Sequence, residues 1–204
     1  MHPGSLMIGT GTGNVNLNRD RFQKSERSEI RMAELGKSIT GGIIGGIIGA
    51  TVMAIVLIAS KVMMGLPKFA DFVIMGTFVG GTGSSAAGAG FIAHYLTGII
   101  LGAILGAIVA SVERLRLTSW RKATGIGMLY GVIVWLVFFL PIVMYGFAPI
   151  MMKMMGPAAA GMLPMVLGIA FIGHLLYGIS VGALIFVATR TEHTSPSACS
   201  ECAT

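Results

Sequence analysis

Residues 91–104 (FIAHYLTGIILGAI) and residues 171–184 (FIGHLLYGISVGAL) are copies of one another. Eight of the fourteen positions are identical at an offset of 80 residues. Each copy lies inside a long apolar run and carries one histidine, His94 or His174, followed by glycines at four-residue steps. This spacing places the glycines on one face of a helix, where a second backbone can approach closely. The repeat therefore predicts an all-α architecture built from two copies of one unit.

The composition places the chain in a membrane. The chain has 204 residues, of which 54% are hydrophobic and only 11% are charged, whereas soluble domains carry about 25% charged residues. The net charge of +6 comes from basic residues clustered between the apolar runs, which is typical of cytoplasmic loops rather than of a nucleic-acid surface. We expect the lipid bilayer to be its environment and expect no nucleic-acid partner.

Four apolar stretches are long enough to span a bilayer, which needs about 20 residues. They cover about residues 40–62, 90–112, 124–146 and 165–188. A polar, basic segment of residues 1–39, predicted to be partly disordered, comes before this transmembrane domain of residues 40–188. Residues 189–204 are predicted to form a cytoplasmic tail.

The basic residues predict the orientation. With four spans, both termini lie on one side, together with the loop between the second and third spans. That side carries eleven Lys and Arg residues, and the opposite side carries three: Lys61, Lys68 and Lys153. Because Lys and Arg are enriched in cytoplasmic loops, we expect a multi-pass protein of the plasma (inner) membrane with both termini in the cytoplasm.

The first and third spans also correspond, because residues 62–65 (VMMG) match residues 143–146 (VMYG) at an offset of 81. The repeated unit is thus two helices and a loop. A unit with two spans returns to its starting side, so the copies should be related by a pseudo-two-fold axis along the membrane normal. The glycines expected at helix crossings are Gly41, Gly45, Gly49, Gly98, Gly102, Gly106, Gly127, Gly131, Gly178 and Gly182.

Two further features carry local predictions. Pro141 should kink the far half of the third span. Residues 65–89 have an apolar middle too short to span the membrane and a Gly/Ser/Ala-rich end. We predict a flexible linker, with the middle re-entrant or at the interface.

The order of these motifs resembles a known group of proteins. The glycine-rich first helix is followed by V-M-x-G, a span opening with H-x-x-x-G-x-x-x-G, and GMLYGVIVW at residues 127–135. This order resembles the small four-helix YagU-like inner-membrane proteins and related uncharacterised prokaryotic families, over about residues 40–188. The resemblance implies a four-helix membrane fold and implies no particular activity.

The two repeated histidines allow two interpretations. In the first, each imidazole bonds a backbone carbonyl or hydroxyl on a neighbouring helix and stabilises the bundle by about 1 kcal/mol. In the second, His94 and His174 join Met63 and Met144 in a metal site, because imidazole and thioether ligands suit copper. Ten of the fifteen methionines fall at the predicted outer ends or outer loops, although methionine is also a common filler of apolar surfaces.

The C-terminal tail contains the two cysteines of the chain, Cys199 and Cys202, with His193 upstream. Together they supply three zinc ligands, one fewer than a closed structural site needs. We expect a reduced, disordered tail, with metal capture and redox sensing as the alternatives.

The spans contain no Asp, Glu or Arg, although intramembrane ionisable residues mark proton and ion paths. No Ser/His/Asp or paired-carboxylate arrangement is present there, so we expect no catalytic activity. The sequence favours a non-catalytic accessory subunit that packs on other integral membrane proteins or on itself. One version is a subunit of a copper-dependent membrane monooxygenase of the ammonia/methane type. The alternatives are a homo-oligomeric channel or carrier for a neutral solute, or a membrane copper-binding protein.

Overall fold

The computed structural model of the protein describes residues 12–190, with side chains from residue 21 onward. Every regular element in this range is helical, which confirms the all-α prediction. The α-helices are α1 (Thr12–Met63), α2 (Ala70–Phe78), α3 (Ala86–Ser111), α4 (Trp120–Val134), α5 (Leu140–Ile142), α6 (Ala148–Met155) and α7 (Ala158–Arg190). Four helical stretches are long and apolar enough to cross a membrane: Arg21–Met63, Gly83–Ser111, Trp120–Met155 and Ala158–Arg190.

The chain divides into two units, Met1–Glu34 and Leu35–Thr204. In the first unit, all side chains of residues 21–34 are exposed. The second unit contains the helix bundle. Residues 12–39, for which the sequence predicts partial disorder, are helical; residues 1–11 and 191–204 lie outside the described part of the chain.

Helix α1 ends at Met63, just before Gly65-Leu66-Pro67. Gly65 has a φ of +68°, a conformation that glycine adopts without steric cost. Its N–H donates to the Val62 carbonyl at 3.1 Å, and the Leu66 N–H donates to the Lys61 carbonyl at 2.9 Å. These two bonds satisfy carbonyls that the end of the helix leaves open, and they turn the chain sharply into α2.

Glycines let the two helices of each copy approach closely. In the first copy, a Cβ on Gly46 would lie 3.0 Å from the carbonyl carbon of Gly98, and one on Gly42 would collide with the Gly102 carbonyl. In the second copy, a Cβ on Gly127 would lie 2.9 Å from the carbonyl carbon of Gly178. We call these contacts the glycine seams: one joins α1 to α3, and the other joins α4 to α7.

The two seams correspond residue by residue at offsets of 80 and 81. The contact of Gly46 with Gly98 in the first seam corresponds to the contact of Gly127 with Gly178 in the second. Gly102 corresponds to Gly182, which faces the Ala123 carbonyl. The ends of the seams involve Gly106 against Ser38 in the first copy and Gly131 against His174 in the second. The helices are therefore two copies of one hairpin, as the repeat in the sequence predicts.

The second face of α1 distinguishes the copies. Gly41, Gly45 and Gly49 pack against α7, where the Cβ of Gly45 would lie 2.8 Å from the Cα of Val181. The equivalent positions in α4, at an offset of 81, are Lys122, Ile126 and Tyr130. Ile126 and Tyr130 pack against the core formed by Leu105, Val109, Tyr177, Val181 and Ile185. Large side chains thus take the places that glycines hold in the first copy.

The third span contains two π-helical segments, Trp135–Phe139 and Val143–Phe147, on either side of Pro141. The Leu140 N–H donates to Trp135, five residues back, and the Ala148 N–H donates to Val143 in the same way. A proline has no N–H to donate and disturbs the regular ladder, and single π turns of this kind cluster at functional sites. The disturbance predicted at Pro141 therefore takes the form of two widened turns.

The loop prediction for residues 65–89 is wrong in its main point. Helix α2 packs tightly on α3, and a Cβ on Gly76 would collide with the Ala86 carbonyl, as would one on Gly90 with the Phe72 carbonyl. The Phe72 ring stacks on Phe91 with centroids 3.8 Å apart. Gly76, together with Gly90 just beyond the segment, is needed for this close helix contact, so the segment contains a packed helix rather than only a flexible linker.

Candidate functional site

A cavity of about 210 Å³ lies among α1, α2, α3, α7 and the π-helical part of the third span. Its wall is mainly apolar, with aromatic side chains that include Phe78, Phe139 and Phe147. Five lining side chains are polar: Asp71, His94, Thr97, His174 and Tyr177. We call this the central cavity. Both histidines that the repeat singles out belong to it.

His94 is almost fully buried, with 7% of its surface exposed. Its Nε2 lies 3.0 Å from the carbonyl oxygen of Ala50 on α1. The ring also meets Phe72 edge-on at 5.5 Å. The predicted bond from an imidazole to a neighbouring helix is present here, and Ala50 is small enough for the ring to reach the backbone.

His174 is equally buried, with 6% exposed, but bonds differently. Its Nδ1 lies 2.7 Å from the carbonyl oxygen of Ala170, one turn earlier on its own helix. The Phe139 ring packs on it at a centroid distance of 4.8 Å. The interhelical bond predicted for this histidine is therefore not formed. Gly131, the equivalent of Ala50, lies against the backbone of His174.

Two tyrosine hydroxyls, one of them in the lining of the cavity, are also hydrogen-bonded to the backbone. Tyr177 donates to the Gly98 carbonyl at 2.6 Å, and Tyr130 donates to the Leu101 carbonyl at 2.6 Å. Both bonds join one hairpin to the other, because Gly98 and Leu101 belong to α3. A buried tyrosine usually finds such a partner, and here the bonds fix the wall of the cavity on the side of α3.

Lys61 and Asp71 form an ion pair that the sequence did not reveal. Lys61 Nζ lies 3.0 Å from Asp71 Oδ1, with side-chain exposures of 4% and 18%. Lys61 is part of α1 and is buried, although the charge bias counts it among the basic residues of the outer side. The signal available was that each charge stands alone in an apolar stretch, since a lone buried charge needs a partner.

The second oxygen of Asp71 has no such partner. Asp71 Oδ2 is buried and forms no hydrogen bond within the described residues. Burial raises the pKa of the Asp71 carboxyl above its ordinary value of 3.8, and the Lys61 ammonium offsets part of that rise. A buried acceptor without a donor costs free energy, which makes Asp71 a position where a ligand or water can bind.

A second cavity, of about 240 Å³, lies beside the ion pair. Its lining includes Lys61 and four methionines, Met151, Met154, Met155 and Met162. Four residues line both cavities: Asp71, Ile74, Met151 and Val166. The two cavities therefore adjoin at Asp71, which places a carboxylate between the methionine-rich cavity and the central one.

The structure does not bring together the four residues predicted to bind metal. His94 and His174 share the central cavity, but Met63 and Met144 are not in its lining and are 88% and 46% exposed. The methionines that line the central cavity are Met53, Met75 and Met151. Within the described residues, no three His, Cys, Asp or Glu side chains cluster as a metal site. Cys199, Cys202 and His193 lie outside that part of the chain.

Four long apolar helices in two repeated hairpins, with a cavity between them, define a polytopic helical membrane protein. Residues 36–195 match the family described as "Family of unknown function (DUF6789)". The match covers more than half of the chain, so the chain belongs to this family. No curated protein matches, and no solved structure matches. The resemblance to YagU-like proteins stays a prediction.

Proposed function

We propose that the protein is a membrane carrier that binds a small, uncharged, largely apolar solute in the central cavity. The observation that carries this proposal is the lining: apolar and aromatic walls with a few convergent polar side chains. Ligand sites in proteins have this composition. A cavity of about 210 Å³ is larger than the engineered 150 Å³ apolar cavity that accepts benzene, so it suits a molecule of about one substituted ring.

Two routes lead to the central cavity. Several of its lining side chains are half exposed, including Thr97 on α3 and Phe138 in the first π segment. These side chains mark an opening at the side of the bundle, towards lipid. The second cavity adjoins the first at Asp71. A lateral entrance and an adjoining second cavity support passage of a solute more than they support a closed structural core.

The accessory-subunit hypothesis has less support from the geometry. It rests on the lack of polar residues in the spans, and on glycine faces and a methionine-rich outer surface that would pack against other membrane proteins. Gly41, Gly45 and Gly49 instead pack on α7, and the glycine seams join helices of the same chain. The hypothesis, including its version as a subunit of a copper-dependent monooxygenase, stays a prediction. The location in the plasma (inner) membrane with cytoplasmic termini is likewise part of our proposal, supported by the charge bias.

Copper binding is a second candidate, favoured by the cavity lining. Met53, Met75 and Met151 lie with His94 and His174 around one cavity, and soft thioether ligands with imidazole suit Cu(I). Each imidazole also bonds a backbone carbonyl through one ring nitrogen, as metal-binding histidines do with the nitrogen that is not coordinated. If copper binds, the methionines involved are these three and not Met63 and Met144.

One preparation tests all three functions. The protein is extracted in mild detergent from its source membranes, and the sample is assayed for small organic molecules, copper and co-purifying proteins. If the protein is a carrier, we expect one small organic compound to co-purify in constant ratio to the protein. The Ala93→Phe variant, which places a ring in the central cavity, should lose it. Leu96→Phe, which adds the same ring on the exposed side of α3, should retain it.

The outcomes separate the candidates. Larger membrane proteins in fixed ratio, without a small molecule, would favour the accessory subunit. Stoichiometric copper that is lost on replacing both histidines would favour the metal site. Bulk lipid recovered equally from both variants would contradict a solute site. A recovered compound is then tested for uptake into vesicles, where Ala93→Phe should transport it at least about tenfold more slowly than Leu96→Phe, since filling a site removes binding outright.

A further inference from the structure

The proposed carrier requires a class of solute, and the hydrogen bonds around the central cavity indicate one. Resting on the proposed function, we infer that the solute carries a hydroxyl or amine hydrogen-bond donor on a small apolar body. The acceptors are His94 Nδ1 and His174 Nε2, the ring nitrogens that form no hydrogen bond with the described residues. The hydrogen bonds to backbone carbonyls determine which nitrogen of each imidazole carries the hydrogen.

A backbone carbonyl can only accept a hydrogen bond. His94 Nε2, at 3.0 Å from the Ala50 carbonyl oxygen, must therefore carry the hydrogen and donate it. In a neutral imidazole the other nitrogen is then an acceptor. A neutral ring is the form that an apolar cavity tolerates, because an unpaired buried charge is costly. His94 thus offers Nδ1 as an acceptor.

In His174 the roles of the two ring nitrogens are reversed. His174 Nδ1 donates to the Ala170 carbonyl at 2.7 Å, so its Nε2 is the acceptor. Neither imidazole forms a second hydrogen bond within residues 21–190. The repeat thus brings two histidines to one cavity, and each presents an acceptor nitrogen although the two use opposite tautomers.

The remaining polar groups add acceptors more than donors. The Tyr177 hydroxyl hydrogen is used by the Gly98 carbonyl, which leaves the oxygen as an acceptor. Asp71 Oδ2 is a further buried acceptor without a partner in the described chain. Among the described side chains that line the central cavity, the Thr97 hydroxyl is the one with a hydrogen to give to a ligand. A ligand with its own donor satisfies these acceptors, and an isosteric ligand without one leaves them unpaired, which is how buried polar sites discriminate.

The test compares phenol with toluene, two probes of similar size of which only phenol has a donor. Binding to the purified protein in lipid nanodiscs is measured by calorimetry for wild type, His94→Phe, His174→Phe and Phe139→Leu. We expect each histidine variant to lower the ratio of phenol affinity to toluene affinity about fivefold, as expected for loss of one hydrogen bond. Phe139→Leu changes the shape of the cavity without removing an acceptor, so this ratio should stay within about twofold.

A measurement on the wild type covers the case in which a histidine variant does not fold. With ¹⁵N-labelled histidine, phenol should shift the resonances of the acceptor nitrogens of His94 and His174, and toluene should not. If phenol and toluene both bind but the ratio and the resonances stay unchanged, the donor inference is wrong and the proposed cavity function stands. If neither probe binds, the proposed function fails and the inference fails with it.

Discussion

At the scale of single residues, the glycines matter because of the atoms they lack. Gly46 and Gly98 allow two backbones to meet at van der Waals distance, as do Gly127 and Gly178. In a membrane, helix association depends on such packing, since lipid removes the hydrophobic driving force between helices. Only a fraction of the glycines serve this purpose. Gly125, Gly161 and Gly168 face open space, so glycine content alone does not identify a seam.

The seam predicts the effect of a single methyl group. Gly46→Ala should lower the free energy of unfolding in detergent by about 1–3 kcal/mol, because the new Cβ forces the two backbones apart. Gly168→Ala is the matched control. It faces open space within α7 and should be neutral or stabilise by up to about 1 kcal/mol through helix propensity. Denaturant titration of both variants measures the difference, and equal effects would mean that the α1–α3 contact is not close.

At the scale of elements, α1 and α2 are joined by the buried ion pair of Lys61 and Asp71. Burying two charges costs several kcal/mol per ion, and their attraction offsets this only while both are present. Either charge without its partner therefore destabilises the fold, whereas the pair contributes little net free energy. The pair holds the short helix α2 to the end of α1, beside both cavities.

The buried ion pair predicts that substitutions of its two residues have non-additive effects on the free energy of unfolding. Asp71→Leu and Lys61→Met should each lower the free energy of unfolding by about 3–5 kcal/mol, because each leaves one group buried without its partner. The double variant Lys61→Met/Asp71→Leu should recover most of that loss. Lys153→Met, at an exposed position, is the control. Additive losses in the double variant would show that the two charges do not interact in the membrane protein.

The elements show how far the sequence could predict this structure. The helices and the glycine seams follow from apolar length and four-residue spacing, which are local patterns. The ion pair joins two isolated charges across a turn, and no periodicity marks it. The π segments have the same hydropathy as an α-helix, so only Pro141 hinted at them. The repeat in the sequence identifies the two histidines, but it does not predict their different partners, Ala50 on another helix for His94 and Ala170 on the same helix for His174.

At the scale of the whole molecule, the two hairpins have similar backbones but differ in the side chains through which each contacts the other. The first hairpin packs on α7 through glycines, and the second meets α3 through the large side chains of Ile126 and Tyr130. The two hairpins therefore do not pack on one another through equivalent contacts. The central cavity is lined in part by residues of the π segments of the third span and of α3.

The orientation of the whole chain is directly testable. In a background with both native cysteines replaced by serine, Ser84→Cys and Thr118→Cys each place one thiol at an exposed position in a loop. The charge bias predicts that a membrane-impermeant thiol reagent labels Ser84→Cys in intact cells and labels Thr118→Cys only after lysis. The opposite pattern would reverse the topology. Labelling of both in intact cells would contradict a four-span arrangement.

The placement of the seams also bears on the history of the chain. Each seam is closed within one hairpin, α1 with α3 and α4 with α7, so the link between the hairpins crosses neither seam. This arrangement is the one produced when a gene for a two-helix protein is duplicated and the copies are fused. A separate two-helix protein of this kind would meet a second molecule of itself through identical surfaces, and only after fusion could each half acquire side chains that the other lacks.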